Sequence, residues 1–153
     1  MDLLLWRHAD AIEGYPDHER ALSPKGVKQA KRMAAWLNQH LPKETLIFAS
    51  PALRTQQTAA ALEREFKTTA AIGTSADCGA VLAVAQWPEP DHATKTVLIV
   101  GHQPTLGEVA GLLLAGTQRS FSVKKGAVWW LQSREAGGRT HAVLRAMMTP
   151  DLL

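Results

Sequence analysis

The sequence predicts an α/β fold of three layers, α/β/α, with a mostly parallel sheet and an antiparallel extension at its C-terminal end. Three observations predict it. Short apolar runs alternate along the chain with longer stretches of helical period. The two strongest runs, DLLLWR (2–7) and TVLIVG (96–101), are apolar almost throughout, as parallel strands buried on both faces are. Beyond residue 120 the pattern changes to paired strands of hairpin type.

The elements follow in order. Residues 2–7 form a buried strand. Ser23 then supplies an N-cap and Pro24 a first-turn proline. Val27, Ala30, Ala34, Leu37 and Leu41 recur at helical spacing until Pro42 stops the run. TLIFAS (45–50) is the next strand. Ser50-Pro51 repeats the start signal for a helix through SPALRTQQTAAALEREF (50–66), rich in good helix formers. TAAIG (69–73) is a weaker strand. Asp77 is placed to cap a helix carrying Ala80, Val81, Val84 and Trp87, and EPDHATK (89–95) is a loop. After the strand at 96–101, Pro104 and Thr105 open a helix with Leu106, Val109, Leu112 and Leu113 on its apolar face, closed by Gly116. FSVKKGAVWWLQ (121–132) reads as a hairpin turning at Lys124-Lys125-Gly126, EAGGRT (135–140) as a loop, and THAVLRAMM (140–148) as a last strand.

No repeat, low-complexity tract or linker divides the chain, so residues 1–153 are expected to form one domain. A hydrophobic share of 46% with 20% charged residues is that of an ordinary soluble protein. The single cysteine, Cys78, rules out an intrachain disulfide framework and fits a reducing compartment. LLLW is far too short for a signal sequence, and no run approaches the roughly 20 apolar residues that span a bilayer. A cytoplasmic protein without a membrane partner is the expectation. The formal net charge of +3 favours an anionic partner. Its lysines and arginines are scattered, without the basic stripe and interleaved aromatics of a nucleic-acid binder, so a small or local anion is expected instead.

Both strong strands end in histidine, His8 and His102. Ligands of open α/β sheets bind outside the carboxyl ends of the strands, so parallel strands bring the two histidines to one functional edge. Arg7 stands beside His8, and the strand TLIFAS leaves the same edge into a helix whose first turn carries Arg54. Arginine's planar fork suits phosphate oxygens. Neutral histidine serves as a covalent nucleophile, and a second, protonated histidine offsets charge during phosphoryl transfer. The histidines lack metal-site spacing such as HxxxH and have no carboxylate cluster beside them. Residue pattern alone thus selects a phosphate-binding site and leaves the reaction open.

LLLWRHADA, ERALSPKGVKQAKRMAAWL, IFASPALRTQQTAAAL and VLIVGHQPTLGEVAGLLL resemble, in order, the blocks of the histidine phosphatase superfamily, which has the phosphoglycerate-mutase-like fold. RHADAIEGYPDHERALSPKG and the short length are most similar to SixA-type phosphohistidine phosphatases. The resemblance covers residues 2 to about 115 and implies that His8 takes the phosphoryl group, forming a phosphohistidine that water hydrolyses. Arg7, Arg54 and His102 would complete the phosphate pocket, Arg20 would add a substrate contact, and no metal or organic cofactor is implied. Two positions depart from the family pattern: Ala9 replaces the usual glycine, with a tighter pocket as the expected effect, and Gln103 replaces the usual asparagine at the substrate-binding edge. The chain also has no room for the inserted segment on which larger relatives carry a glutamate general acid. Asp77 is the nearest carboxylate candidate for that acid, placed with Arg20 and Gln103 among the substrate-binding residues, beside its alternative role as a helix N-cap.

A phosphoramidate does not need that acid, because the departing imidazole can be protonated beforehand. A missing insert also leaves the pocket open to a protein-borne phosphoryl group. The expected substrate is therefore phosphohistidine on a protein, with a phosphate-like anion occupying the pocket. The alternatives are a small phosphorylated metabolite as substrate, or a phospholigand-binding module without turnover.

Of the other residues, Trp129 and Trp130 should face opposite sides of a strand. Asp10 either orients a side chain at the site or accepts loop N–H groups. Lys25 and Cys78 are read as structural or solvated, and His18, His40, His92 and His141 as solvent-facing.

Overall fold

The computed structural model describes residues 1–91 and 93–153; His92, expected to face solvent, lies outside the described residues. Six strands form one sheet in the order β3-β2-β4-β1-β5-β6. They are β1 (Asp2–Arg7), β2 (Leu46–Ala49), β3 (Lys67–Thr68), β4 (Thr96–Gly101), β5 (Val128–Ala136) and β6 (Arg139–Met148). β1 runs parallel to β4, and β2 is parallel to both β4 and β3. β5 turns antiparallel onto β1, and β6 onto β5. The four helices are α1 (Pro24–His40), α2 (Leu53–Ala60), α3 (Cys78–Ala85) and α4 (Thr105–Ala115). Among the described residues no helix is long and apolar enough to cross a membrane.

Alternation along the central strands builds two cores. Leu3, Leu5, Val97 and Ile99 point to the face covered by Val81 and Ala85 of α3 and Leu106, Val109 and Ala110 of α4. Leu4, Trp6, Leu98 and Val100 point to the other, against Met33, Ala34 and Leu37 of α1 and Ala59 of α2. β1 and β4 lie in mid-sheet with both faces covered, which is why Leu3–Trp6 and Val97–Val100 are apolar without a break. Trp130 joins the α1 face and Trp129 packs on the opposite one, as strand alternation requires. In α1, Ser23 caps Gly26 N–H at 3.0 Å as expected, but Val27 is 40% exposed and Met33 takes the core position.

Five elements differ from expectation, one of them α3, which ends at Ala85 before Trp87. The second helix is confined to Leu53–Ala60 and lacks a side-chain cap. Its chain bends afterwards, with Glu63 at φ +54°, so that Leu62 and Phe66 reach the α1 core. The strand expected at 69–73 lies instead at Lys67–Thr68, because the Thr69 side chain caps a short 3-10 turn at Ala70–Ile72 that buries Ile72. The C-terminal hairpin turns at Gly137-Gly138, inside the segment expected to be a loop. Their φ values of +59° and +72° suit a tight two-residue turn, and glycine adopts that backbone without strain. Residues 121–127 form no strand, since side chains rather than a ladder hold their carbonyls: Gln103 donates to Phe121 O and Arg7 to Val123 O.

Candidate active site

The parallel strands β1, β2 and β4 finish at one edge, and each hands over a polar residue: His8, Ser50 and His102. Arg7 closes β1 and Arg54 stands in the first turn of α2. Together Arg7, His8, Arg54 and His102 line a cleft of about 500 Å3. The His8 and His102 rings face each other with centroids 5.4 Å apart.

His8 is 7% exposed, and its Nδ1 lies 2.8 Å from its neighbour's carbonyl, Ala9 O. That carbonyl can only accept, so Nδ1 carries the proton and Nε2 keeps a free lone pair. Burial, followed by the nearby His102, Arg54 and Arg7, pushes the His8 pKa down to about 3; the backbone hydrogen bond opposes this. His8 is therefore neutral and nucleophilic at pH 7. Burial also lowers His102 to about 4, helped by Arg54 and Arg7 and opposed by Asp17. His102 is therefore neutral at pH 7, against the expectation of a protonated second histidine, because desolvation and two guanidiniums disfavour another cation.

Three polar atoms of these cleft-lining side chains have no partner among the described residues: Arg7 Nε, Arg54 Nε and His102 Nδ1 are buried and make no hydrogen bond. An unsatisfied buried polar group costs about 1–3 kcal/mol. Other atoms of the three side chains are already tied down. Arg7 Nη1 donates to Val123 O at 2.8 Å, and His102 Nε2 lies 2.7 Å from Ser50 Oγ. Arg54 Nη1 and Nη2 donate to the Asp17 carbonyl and carboxylate at 2.8 and 2.9 Å.

Arg20 also lines the cleft, held by Asp17 at 3.0 Å and by Ile12 O. Gln103 lines it too, but its amide is committed to Phe121 O and to Gly107 N–H. Gln103 therefore shapes the wall rather than offering free groups. Asp77 does not line the cleft; its carboxylate caps α3 at Ala80 N–H, 2.8 Å away. Ala9 does not tighten the cleft either. Its methyl is buried with Leu22 and Ala30, and its φ is not positive, so glycine is not required there. Asp10 orients a side chain: it accepts from Lys125 Nζ at 2.8 Å and from the Ser23 hydroxyl at 2.6 Å, and Lys125 stands on the cleft wall.

Asp17, Ser50, Lys125 and Glu13 were not singled out from the sequence. Ser50 was legible only as a helix start, although its hydroxyl is fully buried between Thr55 and His102. Asp17 opens a 3-10 turn of three residues, Asp17–Glu19, and Glu13 lies in the loop before it, segments too short for a period to mark a functional position. The signal for Lys125 was a turn, and its partner Asp10 is remote in sequence.

The family model of the histidine phosphatase superfamily (branch 1) matches residues 3–75. A phosphohistidine phosphatase SixA homolog from Haemophilus influenzae is 30% identical over 127 residues, covering 74% of this chain and 77% of that protein. The structure of a protein histidine phosphatase SixA complexed with tungstate, a phosphate-like anion, superposes with a TM-score of 0.81. It is 25% identical and covers 99% of both chains. A phosphoserine phosphatase from Entamoeba histolytica shares the fold, with a TM-score of 0.70 at 19% identity over 99% of both chains. Sequence likeness along three quarters of the chain, on a fold whose sheet edge gathers two histidines and two arginines, places this protein in the histidine phosphatase superfamily, as a member of its SixA-type group.

Proposed function

We propose that this chain is a phosphatase that hydrolyses phosphohistidine on a protein, through a covalent phosphoryl group on His8. The observation behind this reading is a cleft lined by a neutral His8 together with Arg7, Arg54 and His102, whose Nε, Nε and Nδ1 atoms are buried without partners. These donors take the phosphoryl oxygens and are in place before charge develops, so no reorganisation is needed at the moment of transfer. His8 Nε2 attacks phosphorus, the Nε2–P bond forms, and the bond from phosphorus to the substrate nitrogen breaks. Water then attacks the phosphoryl group, the His8 Nε2–P bond breaks, and inorganic phosphate leaves.

A chemical argument supports phosphohistidine over an alkyl phosphate. Of the two carboxylates that line the cleft, Asp17 is a poor acid, because hydrogen bonds from Arg54 and Arg20 hold its carboxyl below the usual carboxylate range, which leaves Glu13 alone. A phosphoramidate needs no proton on the departing atom if its imidazole is already protonated. A protein-borne substrate is supported by the wall at residues 11–14, which continues into Tyr15. Tyr15 is 97% exposed and Ile12 47%, and such exposed apolar groups beside a cleft suit a macromolecular contact.

Likeness of fold to a phosphoserine phosphatase keeps a small phosphorylated metabolite as the second reading. One panel separates them: a phosphohistidine protein, a phosphoserine peptide and several sugar phosphates at fixed enzyme concentration. Turnover confined to the small phosphates would overturn the substrate assignment. Burst-phase labelling tests the mechanism. Acid-labile, base-stable phosphate should appear on the native chain and not on His8→Ala; binding of phosphate without labelling would point to a module without turnover.

A further inference from the structure

Two carboxylates line the cleft, Glu13 and Asp17. Asp17 is consumed by Arg54 and Arg20. Glu13 makes no hydrogen bond or ion pair among the described residues. It stands in the loop between β1 and α1, next to Gly14, whose φ of +152° and empty surroundings mark an open loop tip. The rest of the cleft is cationic or neutral: Arg7, Arg20, Arg54 and Lys125 carry charge, while His8 and His102 are neutral. Such a wall welcomes the phosphoryl group and repels a cationic leaving group. Glu13 is the one unpaired anion that such a group meets among the described residues.

We infer that Glu13 receives the leaving imidazole of a phosphohistidine substrate, accepting a hydrogen bond from its distal ring N–H and so favouring the protonated ring. This rests on the phosphohistidine reading. When His8 Nε2 bonds to phosphorus and the substrate P–N bond breaks, the electron pair stays on the departing nitrogen. A ring already protonated at its distal nitrogen leaves as neutral imidazole. An unprotonated one must leave as the imidazolate anion, a far worse leaving group. Glu13 thereby acts on the leaving group itself, as a carboxylate stabilises a positive imidazole in a catalytic triad. An aryl phosphate has no such proton to hold, so Glu13 sets the preference between the two substrate classes.

The test is Glu13→Gln in the full chain, with kcat/KM for a phosphohistidine protein and for an aryl phosphate measured from pH 5.5 to 8.5. Thermal melting checks the fold. The ratio of phosphohistidine to aryl phosphate activity should fall about 100-fold at pH 8, in the range for assisted proton placement. The deficit should shrink towards pH 5.5, where the substrate ring, with an ordinary pKa near 6.5, takes its proton from water. Glu13→Asp should recover part of the ratio. An unaltered ratio with native phosphohistidine turnover overturns the role of Glu13 and leaves the proposed substrate standing. Native protein that hydrolyses aryl phosphate and not phosphohistidine overturns both.

Discussion

Ser50 Oγ lies 2.7 Å from His102 Nε2, a contact that joins the end of β2 to the end of β4 and turns His102 Nδ1 towards the cleft. Ser50 is fully buried and also meets Thr55 Oγ1 at 2.7 Å, so its hydroxyl has little freedom. Ser50→Ala leaves Nε2 unpaired in a dry site. It should cost about 1–3 kcal/mol in stability by denaturant titration. It should also lower kcat by about tenfold or more, with a smaller change in KM, because the imidazole loses its orienting partner. A native kcat in a destabilised variant would show that Ser50 has no part in orienting His102.

Both cleft histidines have folded-state pKa values below the ordinary value, at about 3 for His8 and about 4 for His102. Between those values and about 6.5 the unfolded chain binds protons that the folded chain refuses, so stability falls as pH falls through that window. The two groups together should remove on the order of 4 kcal/mol between pH 7 and pH 5, and His8→Ala should show about half that dependence. Chemical denaturation at both pH values measures it. Imidazole NMR shifts give a direct check: both rings should stay neutral at pH 5.5 in phosphate-free buffer. A midpoint near 6.5 for His8 would refute the desolvated nucleophile.

Gly26, in the first turn of α1, packs against the loop that follows Arg7-His8. A Cβ there would stand 1.8 Å from the Asp10 carbonyl oxygen, which is backbone and has no rotamer with which to retreat. Asp10 is fixed further by Ser23 and Gln29. Gly26→Ala should therefore destabilise the protein by about 1–3 kcal/mol, or more, and displace Ala9 and His8 with the loop. Melting temperature and the His8 labelling rate should fall together. Loss of neither would contradict the close approach.

Tyr15 offers a test of the protein-borne substrate. Its side chain is almost wholly exposed, so Tyr15→Ala should leave melting within about 0.5 kcal/mol of native. Its kcat/KM for a phosphohistidine protein should fall about tenfold, as for truncation of an aromatic contact at an interface. A short phosphohistidine peptide should feel the change much less. Equal losses on protein and peptide would argue against a docking role for this rim.

Much of the fold was legible because burial writes itself into local pattern. The unbroken apolar character of DLLLWR and TVLIVG identified β1 and β4 as mid-sheet strands, and their parallel direction then brought His8 and His102 to one edge. Arg7 and Arg54 followed from the same edge argument, since each adjoins a strand end. The weaker elements failed where side chains replaced the ladder. Residues 121–132 read as a hairpin, yet Arg7 and Gln103 side chains hold Val123 O and Phe121 O in an irregular path and the first strand does not form.

Local sequence determined the strands, the capped starts of α1 and α3, and the residue types that reach the functional edge. Those depend on neighbours a few positions apart, through periodicity, caps and turns. Tertiary structure alone decided which groups are spent and which remain free. Asp77 is spent on α3, Gln103 on its own wall and Asp17 on two arginines, while Ala9 turns away into the core. Glu13 stays unpaired among the described residues, and Arg7 Nε, Arg54 Nε and His102 Nδ1 are buried without partners. Partnership and desolvation arise between segments tens of residues apart, so the charge state of His8 is a property of the folded cleft and cannot be read from its neighbours in the chain.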